Sequence, residues 1–452
     1  MYILNERFPT FSLDIYKMSY TSNLKKSLNK CIDNLANHRQ EYCFCPEKDY
    51  TRNRKADFSS VMKSIVCFGG KSLNKEILEF FGFSSDTLSP SAFVQQRSKI
   101  KPAAFYQLFR DFTEANEKEK LFRGYRLLAV DGSDIYTPKD KNDFDSLSNN
   151  QNSTFNLYHL NALYDLLSNT YSDAVIQKFH QSNEHKAYVT MVDRYNSDVP
   201  AIFTSDRGYE SYNNMAHVQE KGHKFLTRIK DINSNGILSS FDLPDGEFDF
   251  TFDLKLTRKQ TKETKVNPSF HFIPTNVHFD FLPSSSKKSD PLVFYTLHLR
   301  FVRIQVTEEL FEVLVTNLDD KIFSPSVLKK LYAMRWGIET SFRKLKYTIG
   351  LSAFHSKKSE HILQEIFARL TIYNFSELVT SNIAIRKKKR KYLYKINFSV
   401  AVYACRNFLL GRYAPKAVEA VISKHILPYR PNLSKPRNLR SVSPASFLYR
   451  VA

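Results

Sequence analysis

Along residues 324–350, SPSVLKKLYAMRWGIETSFRKLKYTIG, apolar side chains return every three or four positions: Leu331, Met334, Ile338, Phe342, Leu345 and Ile349. At the α-helical repeat this makes one apolar stripe for packing on a core. Ser324 suits the N-cap, Pro325 the first helical position and Gly350 the C-terminal stop. A second stripe is polar. Tyr332, Arg335, Glu339 and Lys346 stand at offsets of 0, 3, 7 and 14, within an arc of about 60° and roughly a quarter turn from the apolar stripe. The pattern predicts a helix beside a crevice, turning one carboxylate, two cations and a phenol into it. An exposed face laced with i,i+4 ion pairs gives the same spacing, so the rest of the chain has to decide.

Ahead of that helix the periodicity changes twice. Residues 1–120 read as helical and basic. Two short helices, KSLNKEILEFFGF and SAFVQQRSKI, joined by a turn through residues 84–90, resemble a helix-turn-helix with Gln95, Gln96, Arg97 and Lys99 as DNA contacts. A small helical bundle with solvated basic residues fits the same pattern. From Tyr125 the chain turns strand-like. Leu127, Leu128, Ala129 and Val130 form the continuous apolar run of a strand buried on both faces, ending in Asp131-Gly132-Ser133. A carboxylate at the end of a buried strand, followed by a glycine that allows close approach, is a common place for a metal ligand. Asp-Gly is also an ordinary turn.

FNLYHLNALYDLL and TYSDAVIQKF read as strands continuing a meander, and HKAYVTMVDRY as an amphipathic helix. Ala201, Ile202 and Phe203 form a second short strand ending in Asp206-Arg207-Gly208-Tyr209, before a helix through Met215 and Val218 and the strand HKFLTRIK. This alternation is an α/β arrangement. If the two acid-ending strands are parallel neighbours, Asp131 and Asp206 share one sheet edge; taken singly, each reads as a turn or N-cap aspartate. Residues 231–312 break the rhythm: Phe248, Phe250, Phe252, Leu254 and Leu256 alternate with polar residues, and LVFYTLHLRFVRIQV follows. These predict an inserted β subdomain, after which FEVLVTNL leads into the helix described first. Beyond it come a long helix over 360–385, the basic run RKKKRK at 386–391, a helix over 400–409, and a tail rich in Pro, Arg and Ser. The run suits a phosphate backbone or a solvated loop.

Composition narrows the partner. The chain has 452 residues, enough for two or three domains, and a formal net charge of +20 with a sequence pI near 9.5. Such a balance calls for a polyanion, with nucleic acid the first candidate. No apolar run approaches the roughly 20 residues of a spanning helix, so no membrane partner is expected. MYILNERFPTF has no basic segment followed by an apolar core, so no export signal is expected. Cys31, Cys43, Cys45, Cys67 and Cys405 form no even framework, which fits a reducing cytoplasm. Cys43 and Cys45 with His38 lack the second ligand pair of a zinc site.

Asp131, Asp206 and Glu339, from two strand ends and one helix, would repel one another unless a divalent cation neutralised them. Mg²⁺ with oxygen ligands is the natural choice, and the basic chain supplies a reason for phosphates to be nearby. Two such ions about 4 Å apart activate the attacking oxygen and stabilise the leaving one in phosphodiester displacement. Arg335 and Lys346 would then hold the neighbouring phosphates.

LLAVDGSDI, FTSDRGYESYNN and the spacing Tyr332-x2-Arg335-x3-Glu339-x6-Lys346 resemble the three acidic motifs of the DDE transposases of bacterial insertion sequences, in the branch with a Tyr-Arg-Glu-Lys signature. The resemblance spans about 120 to 355. It implies an α/β fold with a ribonuclease H-like mixed sheet flanked by helices, interrupted by the β insertion at 231–312 within a catalytic domain over 121–355. The termini carry no motif of the resemblance; on charge alone, residues 1–120 are expected to be a helical DNA-end-binding region and 356–452 a basic helical C-terminal region. By the same resemblance Asp131, Asp206 and Glu339 are the catalytic metal ligands, and Tyr332, Arg335 and Lys346 contact DNA near the cleaved end. The expected activity is cut-and-paste transposition, with Mg²⁺ or Mn²⁺ serving strand cleavage, a DNA hairpin on the flank, and strand transfer. The expected partners are double-stranded terminal inverted repeats and target DNA, engaged by a homodimer in the bacterial cytoplasm at the nucleoid. A non-transposing nuclease or recombinase of the same fold, or an inactive end-binding relative, is the alternative. A hairpin needs a platform for an unstacked base. The chain's one tryptophan, Trp336, is on the catalytic helix, so the expected platform is Phe294, Tyr295 or Phe301 of the insertion. Strand aromatics at such positions also read as core.

Overall fold

The computed structural model describes residues 17–429 apart from 53–54, 119, 151–152, 233, 242, 288, 309 and 385–391. The basic run at 386–391 and the tail beyond 429 therefore lie outside the described residues. Six helices come first: α1 (Lys17–Asn37), α2 (Arg39–Tyr42), α3 (Phe58–Cys67), α4 (Leu73–Phe80), α5 (Pro90–Arg97) and α6 (Pro102–Ala115). Next are β1 (Arg126–Thr137), β2 (Leu147–Asn150), β3 (Ser153–Asp165), β4 (Thr170–Lys178), α7 (Glu184–Arg194), β5 (Ala201–Ser205), α8 (Tyr212–Glu220) and β6 (Lys224–Ile229). The insertion carries β7 (Phe248–Thr257), α9 (Lys262–Val266), β8 (Phe270–Phe272) and β9 (Phe294–Gln305), and β10 (Phe311–Thr316) follows. The remainder is α10 (Pro325–Met334), α11 (Trp336–Arg343), α12 (Ser359–Thr380), β11 (Leu393–Ile396), α13 (Phe398–Leu409), α14 (Pro415–Lys424) and β12 (Ile426–Tyr429).

β1 is the centre of a mixed sheet. It pairs antiparallel with β3, Asp131 opposite Ala162, and parallel with β5, Ala129 opposite Thr204. β4 lies antiparallel on the far side of β3, and β6 parallel on β5. The order β4-β3-β1-β5-β6 is that of a ribonuclease H-like core. The apolar run of β1 is fully buried, and it divides by pleat. Leu127 and Ala129 join one core with Ile338 of α11 and Ile366 of α12, while Leu128 and Val130 join another with Met191 of α7 and Met215 of α8. The continuous apolar pattern thus reflects helices on both faces.

The insertion is not a separate sheet. β10 pairs with β6, β9 with β10, and β7 with β9, so one ten-stranded sheet runs through it. An uncovered β6 would present a row of unpaired backbone groups, and these strands cover it. Two arginines fasten them. Arg300 makes a fork to Asp249 at 2.7 and 2.6 Å across the strands, and Arg303 makes another to Asp231 at 2.8 and 3.0 Å.

The terminal helical regions share the catalytic region's core, which runs from Leu24 to Ile422. Its axis is α12, nearly all of whose residues are buried. Burying that helix's polar residues requires partners, and they come from afar: Arg97 Nη1 lies 3.0 Å from Glu365, and Arg97 Nε donates to Gln364 at 2.9 Å. This corrects the helix-turn-helix expectation. Arg97 is 0% exposed and Gln96 is buried, so of the four expected DNA contacts only Gln95 is exposed, with Lys99 half-buried. The five cysteines are free, and no helix among the described residues is long and apolar enough to cross a membrane.

Candidate active site

Three elements converge at one sheet edge. Because β1 and β5 are parallel neighbours, Asp131 and Asp206 stand at the same level, Asp206 just past the end of β5 and Asp131 within β1, which does not end there as expected but stays paired with β3 as far as Thr137. Asp131 continues the pleat of Leu127 and Ala129 and so faces α11. Its Oδ1 accepts the Gly132 N–H at 2.8 Å. Asp206, one residue beyond β5, accepts the Gly208 N–H at 2.9 Å and caps the single 3₁₀ turn Arg207–Tyr209.

The third element is the helix over 324–350, which is helical throughout but changes its hydrogen bonding twice. α10 ends at Met334, α11 starts at Trp336, and a π-helical turn over Lys344–Ile349 closes on Gly350 at φ 93°. Its far end is anchored by arginines. Arg369 donates to the carbonyls of Gly350 and Ala353 at 3.0 and 2.6 Å, and Arg406 to that of Ile349 at 2.7 Å. These bonds satisfy carbonyls that a helix end leaves open.

Arg335 lies between the acids. Its Nη2 donates to Glu339 Oε1 at 2.9 Å, and Nη1 stands 3.5 Å from Asp131 Oδ2. The guanidinium lies 5.7 Å from the Tyr332 ring and 5.4 Å from that of Trp336. Only 6% of the Arg335 side chain is exposed. Burial raises the Asp131 carboxyl to about 6, with the Gly132 amide and Arg335 opposing the rise and Asp206 and Glu339 adding to it. Burial also raises the Tyr332 phenol, against the charges of Arg335 and Arg228. Lys346 is lowered by burial, with Asp134 opposing.

The donor set is oxygen only, the chemistry that Mg²⁺ and Mn²⁺ take. The positive charge between Asp131 and Glu339 is the guanidinium, whose Nε and Nη1 are buried without a hydrogen-bond partner. Among the described residues, no three His, Cys, Asp or Glu side chains stand close enough together to hold a metal ion as placed. The acids thus suit a hard cation in type, while Arg335 fills the place between two of them.

Sequence reasoning missed part of the surroundings. His159 of β3 and Glu184 of α7 stand beside Gly132, and nothing in the mixed polar and apolar sequence of β3 marks that histidine. Asp134, the nearest acid to Asp131 in the sequence, projects from the opposite pleat and bonds to His159. The insertion aromatics are also placed differently from expectation. Phe301 is buried, at the level of Ser205 through the pairs with Val315 and Thr227. Phe294 lies seven residues back along β9, about 23 Å toward the opposite sheet edge at roughly 3.3 Å per residue. Tyr295 points its hydroxyl at Glu220, 2.8 Å away. Two aromatics lie against Arg335 beside the acids, Tyr332, which is buried, and Trp336, which is 53% exposed.

The fold is similar to that of piggyBac transposase in a cryo-EM structure of its synaptic complex with hairpin DNA, at a TM-score of 0.46 and 9% identity over 96% of this chain and 88% of that one. No curated protein matches the sequence. The family model for the transposase DDE domain matches residues 122–375, a span that holds β1, β5, the insertion and the Glu339 helix, and the chain belongs to that family.

Proposed function

We propose that this protein is a metal-dependent DNA transposase that cleaves and joins strands at the ends of an insertion sequence, by a cut-and-paste route through a DNA hairpin. What supports the reading is that Asp131 and Asp206 stand at one level on adjacent parallel strands, while Arg335 joins Asp131 to Glu339 of α11. Asp131, Asp206 and Glu339 are the residues that hold the divalent cation, Mg²⁺ with Mn²⁺ as its substitute. A bound cation supplies Lewis-acid activation of the attacking oxygen and stabilisation of the leaving one. The chain's own residues do the rest. The Gly132 amide orients the Asp131 carboxylate. Tyr332 and Arg335 form the wall next to the acids, and Lys346 provides a cation for a phosphate near the cleaved end. Beside Asp206, an open groove lined by His185, Arg207 and Lys230 suits the backbone of double-stranded DNA. The N-terminal helices serve end binding, and a homodimer holds the paired ends in the cytoplasm.

The test is a nicking and hairpin assay with the full chain, Mg²⁺ and DNA carrying the inverted repeats that flank the gene. Asp131→Ala, Asp206→Ala and Glu339→Ala each lower strand cleavage by more than the roughly 100-fold expected for loss of a supporting residue, with end binding kept. Near-normal cleavage by any of them removes that residue from the site. Nicking without strand transfer identifies a nuclease, and end binding without nicking an inactive relative.

A further inference from the structure

Beside the acids, on the face of the sheet turned to α7, His159 makes a bridge that the chemistry above does not use. Its Nδ1 lies 2.8 Å from Asp134 Oδ1 on β1, and its Nε2 lies 2.8 Å from Glu184 Oε1, the first residue of α7. The second contact is an ion pair off the line of a good hydrogen bond. Only 15% of the ring is exposed. It therefore ties the strand that carries it to the end of β1 and to the start of a helix.

The ring also covers Gly132. A Cβ at that position would stand 2.3 Å from His159 Nε2, 2.9 Å from its Cε1 and 2.9 Å from Glu184 Oε1. Gly132 is in extended backbone, so the glycine is there for room and not for conformation. The space that a side chain would take belongs to the imidazole. On its other side, the same residue donates its N–H to the Asp131 carboxylate.

We propose that His159 is a positioning residue for Asp131, acting through the backbone of Gly132. The inference rests on the metal-holding role given to Asp131 above. With Asp134 and Glu184 held by the ring, the end of β1 cannot slide or twist, and the Gly132 amide keeps one direction toward the carboxylate. Burial lowers the ring's proton affinity, but Asp134 and Glu184 outweigh it and raise His159 to about 9, so both nitrogens carry protons near neutrality and both carboxylates are drawn in. Residues that orient metal-holding carboxylates typically contribute 10- to 100-fold to metal affinity.

The experiment uses the full chain and Mn²⁺ alone, with binding followed by quenching of Trp336, the only tryptophan, which lies against Arg335. His159→Ala and Gly132→Ala are each expected to weaken Mn²⁺ binding by about 10- to 100-fold, with the binding of end DNA in the absence of metal unchanged. The double variant is expected to be no worse than His159→Ala, because without the ring the added methyl meets only the Glu184 carboxylate, the end of a flexible side chain that His159 no longer holds. Should His159→Ala fail to fold, His159→Asn, which keeps a donor in part of the same space, is read in the same way. Wild-type Mn²⁺ affinity in the His159 variant, alongside its loss in Asp131→Ala, overturns the inference. Wild-type affinity in Asp131→Ala overturns instead the metal-holding role on which it rests.

Discussion

Arg335 donates to Glu339 across one helical turn at 2.9 Å, and the same guanidinium stands 3.5 Å from Asp131 on the sheet. A cation therefore already answers two of the three carboxylates. At about 4 Å and an effective dielectric near 20, each such charge pair is on the order of 4 kcal/mol before desolvation, which opposes most of it. Guanidinium and metal ion draw on the same negative potential. Arg335→Ala is accordingly expected to bind Mn²⁺ at least about tenfold more tightly, or ~1.4 kcal/mol. The titration belongs near pH 8, about two units above the Asp131 carboxyl at about 6, where protons do not compete. DNA cleavage is not expected to rise with the affinity, since the wall beside the acids is lost. Equal or weaker binding would show that the guanidinium does not compete.

The buried pair that joins the N-terminal helices to α12 sets an acid limit on stability. Burial, then the Arg97 charge, hold His361 at about 3 against an ordinary 6.5, and its nitrogens lie 3.0 and 2.9 Å from the hydroxyls of Ser98 and Ser356. Its folded value is below its unfolded one, so the stability it contributes is present above 6.5 and is lost as pH falls toward 3. Glu365 is depressed as well: burial opposes this, but His355 and Arg97 outweigh it, and its contribution fades only below an ordinary 4.5. Stability is expected to fall from about pH 6.5 downward, by at most ~1.4 kcal/mol per unit for each group, and the melting temperature with it. His361→Gln should remove the upper part of that fall and leave the part below 4.5. An unchanged profile would place the acid limit elsewhere. Arg97→Ala leaves Glu365 with His355 and Arg369 but takes away the donor that Gln364 and the His361 carbonyl share, and is expected to cost up to about 3–5 kcal/mol.

What could be read from the sequence follows from which forces are local. The run Leu127–Val130 and the apolar stripe of the 324–350 helix depend on periodicity alone, and each stands where its pattern places it; Asp206 does follow the end of its strand, but β1 runs on past Asp131 to Thr137, because β3 pairs with it along that length. Arg97 does not, because a basic residue on a short helix looks solvated until Glu365, 268 positions away, is known to face it. The insertion likewise reads as a subdomain, since strand periodicity says nothing about which edge a strand will join. Arg335 reads as a DNA contact at a fixed spacing from Glu339, and only the packing of that helix on β1 brings Asp131 within its reach. His159 was beyond reading for the same reason: its partners come from two other elements.

The groove beside Asp206 gives a prediction about DNA affinity. Arg207 and Lys230 line it, and Glu210 fixes the loop behind it by accepting the backbone N–H groups of Lys230 and Ile237 at 2.9 and 2.6 Å. If phosphates lie there, each cation removed should flatten the log-log dependence of affinity on salt by about 0.9. Arg207→Gln and Lys230→Gln are therefore expected to give shallower slopes in a titration of end DNA across salt concentrations. Replacing residues 386–391 by glutamine tests the basic run in the same way. A slope that stays at the wild-type value exempts the residue concerned from backbone contact.

The proposed hairpin route needs an aromatic side chain to receive an unstacked base, and position separates the candidates. Phe301 is buried, Phe294 lies toward the opposite edge of the sheet, and Tyr295 is engaged by Glu220. Trp336 has none of these handicaps: it is 53% exposed, follows Arg335 directly and lies on the helix that carries Glu339. Stacking one base on an aromatic ring contributes about 1–3 kcal/mol, against a few kcal/mol for unstacking it. If the proposed hairpin route is used, Trp336→Ala should leave the first nick near its normal rate and slow hairpin formation by about 10- to 100-fold, the rate equivalent of that stacking energy. Trp336→Phe should recover much of the loss, because a ring remains. Phe294→Ala should affect neither step, since its ring cannot reach the acids from the far edge. Equal effects of Trp336→Ala on nicking and hairpin formation would assign the tryptophan to the wall of the site and leave the base without a platform on this helix.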